Sequence, residues 1–161
     1  YGCTQKISSL KHAITFIGEL ELKKFIALLA LSNLNDSKPT EIIRVSLTRA
    51  KFCELVSAER HDDENPPKSF LTGMLSLLDG LLDYKFDELM DMLPVHEEIK
   101  AALLGEANAL ATYLNLVIAA EQGNWNLTEL LCEELNLPEN FVADSYVEAI
   151  AWADGMLQSA D

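Results

Sequence analysis

Apolar residues recur at intervals of three and four along almost the whole chain, the spacing of one helix face, and nowhere alternate as a strand would. Leu10, Ala13, Ile14 and Ile17 form a first stripe, capped by Ser8 or Ser9 and ended at Gly18. Residues 19–32 are apolar on nearly every side, as a central helix would be. The stretch 33–39 is loop by composition. A long helix then runs from Thr40 to near Arg60 through Ile43, Val45, Leu47, Ala50, Phe52, Cys53, Leu55 and Val56. The run from His61 to Pro67 is read as non-helical past Asn65, because proline lacks an N–H and restricts the residue before it. One helix is expected over 69–83, followed by short ones over 86–93, closed by Pro94, and 97–104, closed by Gly105. Residues 107–122 end at Gly123, 127–135 make another short helix, and Pro138 is expected to open a last helix reaching Gln158. The expected fold is all-α: a single compact multi-helix bundle of about eight helices, without internal repeats.

Composition narrows the function classes. At 161 residues and 49% apolar, the chain suits one domain with a well-filled core. Its formal charge of −14 repels phosphate backbones and anionic lipid, so neither nucleic acid nor membrane is expected as a partner. No apolar run reaches membrane-spanning length. Cys3, Cys53 and Cys132 are odd in number and form no paired motif, which points to buried thiols in a reducing compartment. The expected location is therefore cytoplasmic.

Several local patterns resemble one family. Residues 8–18, SSLKHAITFIG, resemble the S-I-x-x-A-I-x-x-L-G pattern of HDOD domains, the HD-related output domains of bacterial signalling proteins. Residues 49–55 and the helix from Phe70 to Leu82 look like the variant in which an HDOD domain follows an EAL domain. Residues 122–125, QGNW, and 146–153, YVEAIAWA, are similar to its later helices. The resemblance spans residues 1–161 and implies an HD-like topology. It also implies that the family's first helix or helices, and an EAL-type domain, precede Tyr1.

The resemblance also locates a lost metal site. Active HD phosphohydrolases carry a His-Asp doublet in a helix of the form F-L-A-G-L-L-H-D-I-G. Aligning Phe70, Leu71, Thr72, Gly73, Met74 and Leu75 on it puts Ser76 and Leu77 at the doublet. Aligning residues 44–46 with the family's R-H-S-type segment puts Val45 at the first histidine. Valine and leucine offer no donor and serine a poor one, so no cofactor, no metal and no catalytic residue is expected. The implied function is a non-catalytic signalling domain, tied to cyclic di-GMP or a similar pathway. It would act on a protein partner or a covalently linked EAL-type domain, with self-association as a further expectation. Leu10, Ile14, Phe16 and Ile17 form the candidate interaction surface.

Other readings remain open. His61 and Asp62 are a literal His-Asp pair beside Asp63 and Glu64, and a divergent metal-dependent phosphodiesterase would use them. The plainer expectation is a hydrated linker, because neighbours in a proline-ended loop are not preorganised. A purely structural dimerisation module is a third reading. His12 and His96 are expected at the surface or at a cap, and Asp79, Asp83, Asp87, Glu88 and Asp91 on a solvated face. Trp125 and Trp152 read as core or capping aromatics. No P-loop, nucleophile elbow or dinucleotide fingerprint is present.

Overall fold

A computed structural model describes residues 40–62, 66–82, 84–93 and 95–158. The expected helices before Thr40, with His12 and the apolar cluster Leu10, Ile14, Phe16 and Ile17, lie outside the described residues, as do Cys3, Asp63, Glu64 and Asp83. Among the described residues eight α-helices follow one another: α1 (Thr40–Glu59), α2 (Pro66–Leu75), α3 (Leu78–Leu82), α4 (Phe86–Met92), α5 (Glu97–Leu103), α6 (Ala109–Glu121), α7 (Trp125–Leu135) and α8 (Phe141–Gln158). The fold is all-α, with no strand among the described residues. No described helix is long and apolar enough to cross a membrane.

The long helix α1 organises the bundle, with α2 and α8 as its principal neighbours and α6 behind. It gives Ala50, Phe52, Cys53 and Val56 to the core, all fully buried. Along its other side α8 runs antiparallel. Near one end Arg44 of α1 meets Asp154, and further along the Phe52 ring stands edge-on to Phe141 and Tyr146, at 6.5 and 6.3 Å. Trp152 of α8 and Phe70 of α2 close the contact at 5.8 Å, each such aromatic pair adding roughly 0.5–1.5 kcal/mol to the area buried. Helix α6 buries Leu110, Ala111, Tyr113, Leu114, Leu116, Val117 and Ala119, more than a single stripe, because α1, α2, α5 and α7 all pack on it.

Local chemistry explains the helix ends. The Asn108 side chain accepts from Ala111 N–H at 2.9 Å and opens α6, and Asn124 accepts from Leu127 N–H at 3.3 Å to open α7. Gly105 and Gly123 take positive φ of 90° and 66°, which ends α5 and α6 where their glycines foretold.

Besides shifts of one or two residues at the ends of α4, α5, α6 and α7, three boundaries differ from expectation for a local reason. Pro66 and Pro67 begin α2 instead of lying in the loop before it, since the first helical turn needs no N–H partner and suits proline's fixed φ. The helix expected over 69–83 breaks at Ser76 and Leu77 into α2 and α3, because the Ser76 hydroxyl donates to Gly73 C=O at 2.7 Å and competes with the helical ladder. Pro138 does not open α8: its carbonyl accepts from Phe141 N–H at 3.0 Å in a preceding turn, and the helix starts at Phe141.

Candidate functional site

Gly73 sets the geometry of the region that the resemblance marks. A Cβ there would lie 2.5 Å from the carbonyl carbon and oxygen of Arg49 and 2.6 Å from Ala50 N, so α2 crosses α1 backbone to backbone. That crossing carries Ser76, just past the end of α2, to the side chain of Arg49. One guanidinium nitrogen, Nη1, donates to Ser76 Oγ at 3.2 Å. The others grip Glu121 at the end of α6: Nη2 donates to Oε2 at 2.7 Å, and Nε donates to Oε1 at 3.0 Å and Oε2 at 3.1 Å. The Arg49 and Glu121 side chains are only 12% and 16% exposed, so the pair is largely withdrawn from water. Such pairs add little net stability over apolar packing, but removing either partner leaves the other's charge stranded away from water.

Val45 lies one turn before Arg49 on α1, on the same face, and is half-buried. Leu77 is half-buried beside Ser76. Of the three marked positions, Ser76 is therefore joined to the α1 face through Arg49. Val45 and Leu77 have no polar side-chain atom to add. The donor set does not fit a divalent metal: it offers one hydroxyl already bonded twice, one carboxylate already gripped by a guanidinium, and a fixed positive charge among them.

The surrounding groups are equally committed. Cys53, one turn beyond Arg49, is buried, and its thiol is pushed up to about 12, chiefly by burial; Arg49 pulls it down and Glu121 pushes it up. It is no thiolate nucleophile at neutral pH. Burial raises the Tyr146 hydroxyl as well, with Glu121 adding to the rise. At the near end of α1, Arg44 Nε donates to Asp154 Oδ1 at 2.6 Å and Nη2 to Oδ2 at 3.3 Å, and this hydrogen bond holds the Asp154 carboxyl below its usual range. Lys51 is buried with its ammonium 3.0 Å from Glu54 and 5.8 Å from the Trp152 ring centre.

The literal His-Asp pair is not a linker hanging in water. His61 is exposed at φ 54° and closes α1, whereas Asp62 turns inward and accepts from the Tyr113 hydroxyl at 3.0 Å. Its backbone is held too, with N–H donating to Ser57 C=O at 3.0 Å and C=O accepting from Ser57 Oγ at 3.2 Å. The hydrated-linker expectation is corrected for Asp62, because the packing of α6 against α1 brings Tyr113 within reach. Among the described residues, no group of three or more His, Cys, Asp or Glu could hold a metal ion.

His96 caps α5, its Nδ1 accepting from Glu98 N–H at 3.3 Å, and Asp79, Asp87, Glu88 and Asp91 are exposed as expected. Trp152 is a core residue, but Trp125 is 65% exposed at the start of α7, where neither core nor cap claims it. Sequence reasoning passed over Arg49 and Glu121. They stand 72 positions apart, beyond any local spacing rule, and the one available signal was the presence of Arg49 and Lys51 among positions that read as core.

The HDOD domain family model matches residues 1–141. Over 147 residues the chain is 34% identical to a protein of Vibrio cholerae serotype O1 described as cyclic di-GMP phosphodiesterase CdgJ, covering 91% of this chain and 34% of that protein. Over 159 residues it is 35% identical to the uncharacterized protein YuxH of Bacillus subtilis, covering 97% of this chain and 38% of that one. The chain thus spans little more than a third of the length of these relatives. No solved structure matches it.

Proposed function

The chain belongs to the HDOD domain family, and we propose that it is a non-catalytic regulatory domain that passes its signal through protein contacts within cyclic di-GMP signalling. The observation that carries this reading is the Arg49 guanidinium, which donates to Ser76 at 3.2 Å while bound to Glu121. The resemblance aligns Ser76 with the histidine of the HD doublet, and on that alignment the Arg49 guanidinium takes the place of a divalent metal. The Glu121 carboxylate offsets much of the repulsion that a dication would meet there, but with its oxygens held by Arg49 it is no free ligand for one. The ion pair with Glu121 satisfies the arginine locally, so nothing draws it out of the way.

The pathway rests on kinship. The Vibrio cholerae relative is described as a cyclic di-GMP phosphodiesterase, and this chain matches 34% of that protein. The activity in its name is assigned here to no residue of this domain. The rival enzyme built on His61 and Asp62 loses force, since Asp62 already serves Tyr113.

Incubating the purified domain with Mn²⁺ or Mg²⁺ and either cyclic di-GMP or bis(p-nitrophenyl) phosphate tests the reading. The expected result is hydrolysis no faster than with metal in buffer alone. Turnover that disappears in a His61→Ala, Asp62→Ala variant would establish the divergent phosphodiesterase instead.

A further inference from the structure

Positive charge stops at Lys100. Residues 101–161 contain ten Asp or Glu and not one Lys, Arg or His, so this stretch carries −10 of the chain's −14. Glu121 and Asp154 are neutralised by α1 arginines. On α7, Glu129, Glu133 and Glu134 are exposed, and none is paired with a cation from residues 101–161, which have none to offer.

The same helix exposes large apolar groups. Thr128, Leu131 and Leu135 make its buried stripe, yet Trp125 is 65%, Leu130 59% and Leu127 39% exposed on its outer side. At about 100° per residue, Leu127 and Leu130 lie close together on that side, with Trp125 across the glutamates from them. A solvent-facing helix side is ordinarily polar, so a tryptophan and two leucines there need an explanation. The helix also holds them rigidly. Asn124 caps its start, Gly123 turns into it at φ 66°, and Asn136 closes it in the left-handed conformation, its N–H donating to Cys132 C=O and Glu133 C=O.

We propose that the outer side of α7 is a docking surface for a basic amphipathic helix of another protein, with Trp125 and Leu130 as apolar anchors on either side of Glu129 and Glu133, and Glu134 beyond Leu130. Charge selects this occupant. A second copy would set the same glutamates against each other, and anionic lipid or nucleic acid would be repelled. A helix with leucines on one side and lysines beside them matches both features together. The inference rests on the protein-contact reading above, but the hydrolysis assay is read separately, so failure here leaves the non-catalytic reading standing.

The test uses the purified chain and a fluorescent 18-residue Leu/Lys peptide with an amphipathic helical pattern, beside a scrambled peptide of equal composition. Binding is measured for the wild type, for Trp125→Ala with Leu130→Ala, which keeps the charge, and for Val147→Ala, an exposed apolar residue of α8. Circular dichroism confirms that each variant is folded. Saturable 1:1 binding, weakened about tenfold or more by the double substitution but not by Val147→Ala, is expected, and since both variants keep the charge the loss reads the apolar anchors. Equal affinity for the scrambled peptide, or no loss in the double variant, would reduce the attraction to net charge and overturn the proposal. Self-association abolished by Leu130→Ala would assign the face to a second copy, and uptake by neutral phosphatidylcholine vesicles would assign it to a bilayer; either result overturns it too.

Discussion

The phenol of Tyr113, 3% exposed on α6, donates to Asp62 at 3.0 Å and so ties the end of α1 to the bundle. Tyr113→Phe removes the bond and Asp62→Ala removes its acceptor, so each is expected to cost about 1 kcal/mol, with the double variant costing less than their sum. Urea unfolding of the three variants checks this. The bond also has a pH signature. The Tyr113 hydroxyl is pushed up to about 12 from an ordinary 10, by burial first and by Asp62 second. A raised folded value means that this contribution is complete below about pH 10 and is lost as pH climbs toward about 12. The melting temperature of the wild type should fall more steeply across that window than that of Tyr113→Phe.

Gly73 decides how α1 and α2 meet. With a Cβ placed 2.5 Å from the Arg49 carbonyl, the fault lies in backbone, which cannot swing aside as a side chain can. Gly73→Ala is expected to destabilise by about 1–3 kcal/mol or more, as overpacking does, despite alanine's better helix propensity. In thermal melts the variant should unfold well below the wild type. An unchanged melting temperature would mean that the helices do not cross so closely. Much of this element pattern was legible beforehand. Periodic apolar stripes marked α1 and α4–α7, and Gly105 and Gly123 marked the ends of α5 and α6. What escaped depends on meetings between distant segments. The break at Ser76 comes from a hydroxyl competing for Gly73 C=O, and the Arg49–Glu121 pair joins positions 72 apart. Trp125 misled because an aromatic residue reads as core until the helix faces are known. Val45, Ser76 and Leu77 were marked by resemblance alone; residue chemistry then supplied the reason they suit no metal.

At the scale of the molecule, charge is unevenly spread. The α1 arginines fasten Glu121 inside the bundle and Asp154 at its surface, while the remaining acids of residues 101–161 stay unopposed by any cation of that stretch. The domain thus combines an interior tied by guanidinium with an exterior biased toward basic partners. Arg49 and its partners are proposed to stand in place of a metal centre. Elemental analysis of the untagged domain after incubation with Fe²⁺, Mn²⁺, Zn²⁺ or Ni²⁺ and desalting reads this without recourse to activity. Well under one metal per chain is expected. A full equivalent that is lost on substituting residues 44–46 or 76–77 would contradict it.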